Sequence, residues 1–272
     1  MRKIIALALI VLSVSCQKDK TPLNDSGPSD EARTFYLESF NEYNLANQVF
    51  QDLVNIKGDI ILNAENSLTG KTSSSKIDVS VSIEPSDLET FPKTITVDFG
   101  PSGTVGRDGV FRRGVIRIVS TGWFWEQGSV HTTTFSNYFH DNFKVEGTQI
   151  VQNFGENENG FIEFDVEVNN GVVSHSDGLN ITFDEASTRT WIVGSQTPFN
   201  IWDDEYIIDA VQSGFFSDGT SYLLTFDEPL HYVLLPRAVR SGIVNLVIGG
   251  FTGFEINHNN RTTTILGVTS TF

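Results

Sequence analysis

Two tryptophans spaced two apart, Trp123 and Trp125, follow Gly122. In an extended strand that spacing turns both rings to one side and Phe124 to the other. Paired indoles of this kind stack on the apolar faces of sugars and keep a polar edge for hydroxyl groups. The plainer alternative is that the pair plugs one end of a core. Carboxylates offer a second chemistry. Glu163, Asp165 and Glu167 share one face of an alternating segment, where residues i and i+2 lie about 7 Å apart, and glycoside hydrolysis needs two carboxyl groups roughly 5–10 Å apart. Any hydrated sheet face has the same alternation, however, and the trio is read as such a face. Asp203-Asp204-Glu205, between Trp202 and Tyr206, is the densest acidic cluster. It could present oxygen to calcium but lacks EF-hand spacing, and it reads as the solvated start of a strand.

Other chemistry-bearing residues fall short of a site. Ser73 and Lys76 have the S-x-x-K spacing of serine acyl enzymes, yet they sit in a serine-rich loop running into a strand and have no S-D-N or K-T-G companion. No G-x-S-x-G elbow occurs. His131, His140, His175, His231 and His258 are scattered without metal-ligand spacing, which suits surface or sheet-face positions. The reading is therefore a non-enzyme with no catalytic residue, no metal and no cofactor. Trp123 and Trp125 are left as the candidate ligand-binding residues.

The elements that would position these residues begin after an apolar leader. Met1-Arg2-Lys3 precedes an unbroken apolar run from Ile4 to Leu12, and Ser13-Val14-Ser15 lead to Cys16, the only cysteine. A basic start, a short apolar run and small residues at its end make an export signal, too short for a bilayer span. With the cysteine at that junction, the segment resembles a bacterial lipoprotein signal, although Ser13 stands where the usual motif has Leu. The resemblance implies cleavage before Cys16 and acylation of its thiol and new amine. Several acyl chains on one residue exceed what stable anchoring requires. Gln17-Lys18-Asp19-Lys20 resembles the export tag of surface-exposed Bacteroidota lipoproteins, which implies the outer membrane, with the cell surface favoured over its periplasmic face.

The 272 residues carry a formal charge of −16, or −18 once Arg2 and Lys3 leave with residues 1–15. Such a polyanion repels nucleic acid and does not adhere to anionic lipid by charge alone. A hydrophobic content of 39% excludes disorder of the whole chain, and a single cysteine excludes an internal disulfide.

Residues 16–30 are polar, hold two prolines and read as a flexible tether with a coil dimension of roughly 20 Å. Residues 31–272 read as one helix plus a β-rich domain. Tyr36, Phe40, Tyr43, Phe50 and Val54 follow helical spacing, with Asp30 as the expected cap and Lys57-Gly58 as the expected stop. Asn41 and Asn44 leave room for two shorter helices. From there the period changes to two: Ile77 to Ile83, Ile95 to Phe99 and Ile162 to Val168 alternate apolar and polar residues. Turns are expected at Arg107-Asp108-Gly109, Asn169-Asn170-Gly171, Asp177-Gly178, Asp218-Gly219 and 257–260. About a dozen strands without intervening helices predict an all-β fold with an N-terminal amphipathic helix. Its mainly antiparallel meander would curl into a barrel-like, sandwich or broad curved sheet. Residues 111–119 and 239–247 echo each other weakly.

The run Asn44 to Ile56, Ile95-Thr-Val-Asp-Phe-Gly100, Phe135-Ser-Asn-Tyr138, Val145-Glu-Gly-Thr148, Asp203-Asp204-Glu205-Tyr206 and Ser241-Gly242 are similar to a family of uncharacterised Bacteroidota lipoproteins. That resemblance implies a cell-envelope β protein and brings no activity with it. The expected role is a non-catalytic binding or structural module, with polysaccharide the leading ligand. A glycan hydrolase using paired carboxylates is the alternative, and an accessory subunit of an outer-membrane assembly is another. The partners are then the outer membrane, through its lipid anchor, and a polysaccharide or an envelope protein. Metabolic labelling with palmitate is expected to mark the wild-type protein and to be lost entirely in Cys16→Ala.

Overall fold

The computed structural model describes residues 29–69, 79–106, 108–197 and 203–272. The leader, Cys16 and nearly all of the proposed tether lie outside the described residues, as do Ser73, Lys76 and Trp202. Among the described residues, one helix, α1 (Asp30–Leu68), is followed by fourteen strands. These are β1 (Ser80–Glu84), β2 (Lys93–Asp98), β3 (Thr104–Val105), β4 (Phe111–Ser120), β5 (Val130–His140), β6 (Phe143–Glu156) and β7 (Ile162–Ser174). They continue as β8 (Asn180–Val193), β9 (Glu205–Phe215), β10 (Ser221–Val233), β11 (Ala238–Ile248), β12 (Phe251–Asn257), β13 (Thr262–Ile265) and β14 (Val268–Thr271). The sheet is an open antiparallel meander in chain order from β1 to β14, with β3 set aside against β4. The expected all-β class with an N-terminal helix is what the chain forms, and the sheet is curved and open.

The helix differs from expectation at both ends. Ser29 caps it, its hydroxyl accepting from the Ala32 N–H at 3.2 Å, while Asp30 joins Glu31 in the first turn, where a carboxylate suits the helix dipole. It does not stop at Lys57-Gly58 and is not broken at Asn41 or Asn44, whose side chains face outward. Gly58 allows a close approach: a Cβ there would lie 3.4 Å from the Phe124 ring. Lys57 turns inward, its Nζ 3.4 Å from the Gln149 carbonyl, so it is no terminal cation. Ile60, Ile61, Leu62 and Ala64 carry the buried stripe onward to Leu68.

Contacts along α1 run backwards through the strand order. Tyr36 and Phe40 meet Phe254 of β12. Tyr43 meets Tyr222 of β10 and donates to Gln212 of β9. Phe50 stacks on Phe183 of β8. Ile60 and Ala64 share a cavity wall with Val97 of β2. From Tyr36 to Ala64 the helix rises about 42 Å at 1.5 Å per residue, and the strands from β2 to β12 span about 43 Å at 4.8 Å each. The helix therefore crosses the strands instead of lying along one of them.

Bulges bend the strands toward it. Gly114, at φ +86°, sits where β4 slips against β5, so close to the Asn137 carbonyl that no side chain would fit. Register also shifts at Gly147 of β6 and before Gly171 of β7, which continues the line of kinks across the sheet. Asn169-Asn170-Gly171, expected as a turn, is one of these bulges inside β7, with the Asn170 N–H donating to Asp184. Gly242, at φ +117°, is the counterpart of Gly114 in the echoed segment and also sits at a bulge.

Bending encloses the helix. Val49, Phe50, Gln51, Asp52 and Leu53 are all buried, and five consecutive residues exceed one turn, so the helix is enclosed there on every side but for the edge of Gln51. Asp52 is held from two sides, by Arg237 after β10 and by His140 at the end of β5, the latter at 3.3 Å. Phe50 is fully buried, its ring parallel to Phe183 within 10° at 5.0 Å. Phe50→Ala should lower unfolding free energy by about 3–5 kcal/mol, read from chemical denaturation midpoints.

Candidate functional site

Trp123 and Trp125 do not share an exposed strand face. They lie in the turn between β4 and β5, which closes through the Glu126 N–H to the Trp123 carbonyl and the Trp123 N–H to the Glu126 carboxylate. Inside a turn the two-residue alternation no longer applies, and the rings diverge. Trp123 is only 7% exposed. Its ring meets Phe91 edge-on, and its indole N–H donates to the Leu88 carbonyl. Trp125 stacks on Trp191 at 4.8 Å. Phe124, between them, also turns inward, onto Phe164 and His131. Trp123 and Phe124 plug the core and Trp125 is half-buried, so the two indoles do not form the shared face that their spacing predicts.

The carboxylates separate into two kinds. Glu163, Asp165 and Glu167 lie on the hydrated face as expected, and their neighbours are polar: Asn157 and Thr190 for Glu163, Thr188 for Asp165 and Asn169 for Glu167. The acidic cluster is not uniformly solvated, which corrects the expectation for Asp204. Asp203 is exposed, Glu205 pairs with His231 at 2.7 Å and Arg240 at 2.9 Å, and Asp204 is 2% exposed. It lines a small cavity of about 30 Å³ with Asn55, Arg189, Trp191, Tyr206 and Leu234. Burial, with Asp203 adjacent, outweighs the Tyr206 hydroxyl at 3.1 Å and lifts the Asp204 carboxyl to about 7. That cavity has room for a water molecule and none for a glycan.

Two histidines are core residues, contrary to the surface reading. His131 bridges Ser120 and Ser129 at 3.0 and 3.2 Å, and burial together with Lys57 lowers its pKa to about 3. His140 is the partner of Asp52. Lys57 itself is held well below the ordinary lysine range by burial and by Arg189. Among the described residues, no three His, Cys, Asp or Glu side chains are grouped to hold a metal ion.

A concavity much roomier than the Asp204 cavity is marked by no sequence motif. Between the first half of α1 and strands β9 to β13 lies an open cleft of about 410 Å³. Phe40, Tyr43, Asn44, Asn47 and Gln51 form its helix wall. The opposite wall is mostly aliphatic and aromatic, from Ile208 of β9 through Leu230 and Tyr232 of β10 and Val239 and Val244 of β11 to Ile256 of β12. His258 and Phe272, in edge contact at 5.7 Å, close one end. Among the described residues, no Asp, Glu, Lys or Arg lines it. A second cavity of about 240 Å³ lies at the other end of the helix, against β1 and β2.

No protein-family model, curated protein or solved structure matches the chain. Among the described residues no helix is long and apolar enough to cross a membrane.

The state of Asp204 has a measurable consequence. With its pKa raised to about 7, the folded protein keeps a proton that the unfolded chain releases above about pH 4. This group's contribution to stability is therefore full in acid and declines as pH rises through 7. Asp204→Asn removes that decline. The gap in urea midpoint between the variant and wild type should widen in the variant's favour from about pH 4 to pH 8.

Proposed function

We propose that the chain is a lipid-anchored protein of the bacterial outer membrane, displayed at the cell surface, that binds a small ligand without transforming it. The reading of location rests on the leader ending at Cys16 and on the Lys18-Asp19 segment after it. The reading of activity is carried by one observation: a concavity of about 410 Å³ is open and mostly apolar, and among the described residues no Asp, Glu, Lys or Arg lines it. That size falls in the range of small-molecule sites, and a few polar groups on an apolar surface is their usual composition. Catalysis has little to work with there. His258 is the one titratable imidazole on the wall, and burial lowers its pKa. The acid with the most displaced pKa, Asp204, lines a separate cavity too small for a substrate.

Polysaccharide was favoured by the exposed-tryptophan expectation, and the inward packing of Trp123 and Trp125 removes that support. The cleft becomes the site of binding instead. Native mass spectrometry of protein purified from its own membrane should show an intact small molecule that is absent from Val239→Trp, which fills the cleft rim. A reaction product in place of an intact ligand would overturn the non-catalytic reading. Protease added to intact cells should digest the folded domain, and full protection would move it to the periplasmic face.

A further inference from the structure

We infer that the cleft selects a neutral amphiphile, an apolar chain carrying a secondary amide, and rejects charged molecules of the same shape. This rests on the preceding reading of the cleft as a binding site and names what it takes. The first argument is charge. A carboxylate, phosphate or ammonium in the cleft would lose water without meeting a charged side chain, since no Asp, Glu, Lys or Arg among the described residues lines it. The chain's net −16 adds a field that opposes anions approaching from solution.

The second argument is the direction of the amides. Tyr43 donates its hydroxyl to Gln212 Oε1, and Gln212 Nε2 donates to Asn47 Oδ1 at 3.1 Å. Gln51 Nε2 donates to the same Asn47 oxygen at 3.3 Å. These bonds set which way each amide points. Asn47 spends its oxygen on two donors and keeps Nδ2, while Gln51 spends its nitrogen and keeps Oε1. One donor and one acceptor therefore remain on neighbouring turns of the helix wall. A secondary amide complements that pair, its carbonyl accepting from Asn47 Nδ2 and its N–H donating to Gln51 Oε1.

The third argument is the opposite wall. Ile208, Leu230, Val239, Val244 and Ile256 offer branched aliphatic surface, which suits a hydrocarbon chain. Sugar rings instead call for many hydrogen-bonding partners, and these five side chains offer none. A ligand lying lengthwise would place its chain on the sheet and its amide on the helix.

The test compares chains of equal length by calorimetry on full-length protein in detergent-free nanodiscs: N-methyldecanamide, N,N-dimethyldecanamide, decanoate and decyltrimethylammonium, with N-acetylchitotriose as a neutral saccharide. N-methyldecanamide should bind at least ten-fold more tightly than either ion. The dimethyl amide lacks the N–H and leaves Gln51 Oε1 unpaired, so it should bind roughly ten-fold more weakly. Gln51→Leu should erase the difference between the two amides, and Asn47→Leu should weaken both alike. Val239→Trp, or Leu230→Trp should the first fail to fold, should abolish binding of all chains. Equal affinity for ions and amides, no difference between the two amides, or tighter binding of the saccharide would overturn the ligand class and leave the cleft standing. No binding by any probe, or binding that survives both tryptophan variants, would overturn the cleft as the site.

Discussion

From Val49 to Leu53 the helix is enclosed except where Gln51 borders the cleft, so any other polar group placed there must find a partner or lose a hydrogen bond outright. The sheet meets part of that demand, while Thr133 Oγ1, Gln149 Oε1 and Glu185 Oε2 stay buried without a partner among the described residues. Across its inner face, Thr133, Gln149, Val168, Glu185 and Gln212 stand opposite one another on five successive strands. This row is polar only in the middle. It begins with Ile95 and Ile118 and ends with Leu224, Leu246 and Phe254. Gln149 donates to the Phe50 carbonyl, and Gln212 joins Tyr43 and Asn47. Glu185 holds Arg189 at 3.0 Å and accepts from Ser187. Polar matching along this line locates the helix on the sheet more narrowly than apolar contact could, because greasy surfaces slide and paired donors do not.

Enclosure at the centre also explains the open spaces at the ends. A helix that crosses a bent sheet is gripped where the strands curve around it and diverges from them on either side. One divergence is the cleft beside Asn47, the other the smaller cavity beside Ala64. The hydrogen bonds that anchor Gln212 to the helix are the same ones that orient Asn47 and Gln51. The clamp that stabilises the fold thus sets the polarity of the cleft wall.

How far the residues alone could be read depended on the range of the interaction. Ile95, Val97 and Phe99, and Phe164, Val166 and Val168, are buried as their alternation requires, since facing is a local consequence of the pleat. Lys57-Gly58 carries the local signature of a helix end, yet here the glycine makes room for Phe124 and the lysine reaches Gln149, residues more than sixty positions away. Asn169-Asn170-Gly171 has turn chemistry, and its left-handed Asn170 is used for a bulge instead. The spacing of Trp123 and Trp125 predicts a shared face only if the backbone is extended, and it is not. The cleft left no signal, because its lining comes from six elements and a chain end, none of which is unusual by itself.

By itself, then, the sequence determined what short-range physics controls: the net charge, the presence of an N-terminal helix and the run of antiparallel strands. Tertiary structure alone decided the environment of the reactive side chains. Asp203 and Asp204 are chemically alike and adjacent, yet one stays in water and the other is pushed to about 7. His131 and His258 likewise differ only in what distant strands place around them. Desolvation is a sum over every atom that displaces water, and most of those atoms belong to residues far along the chain.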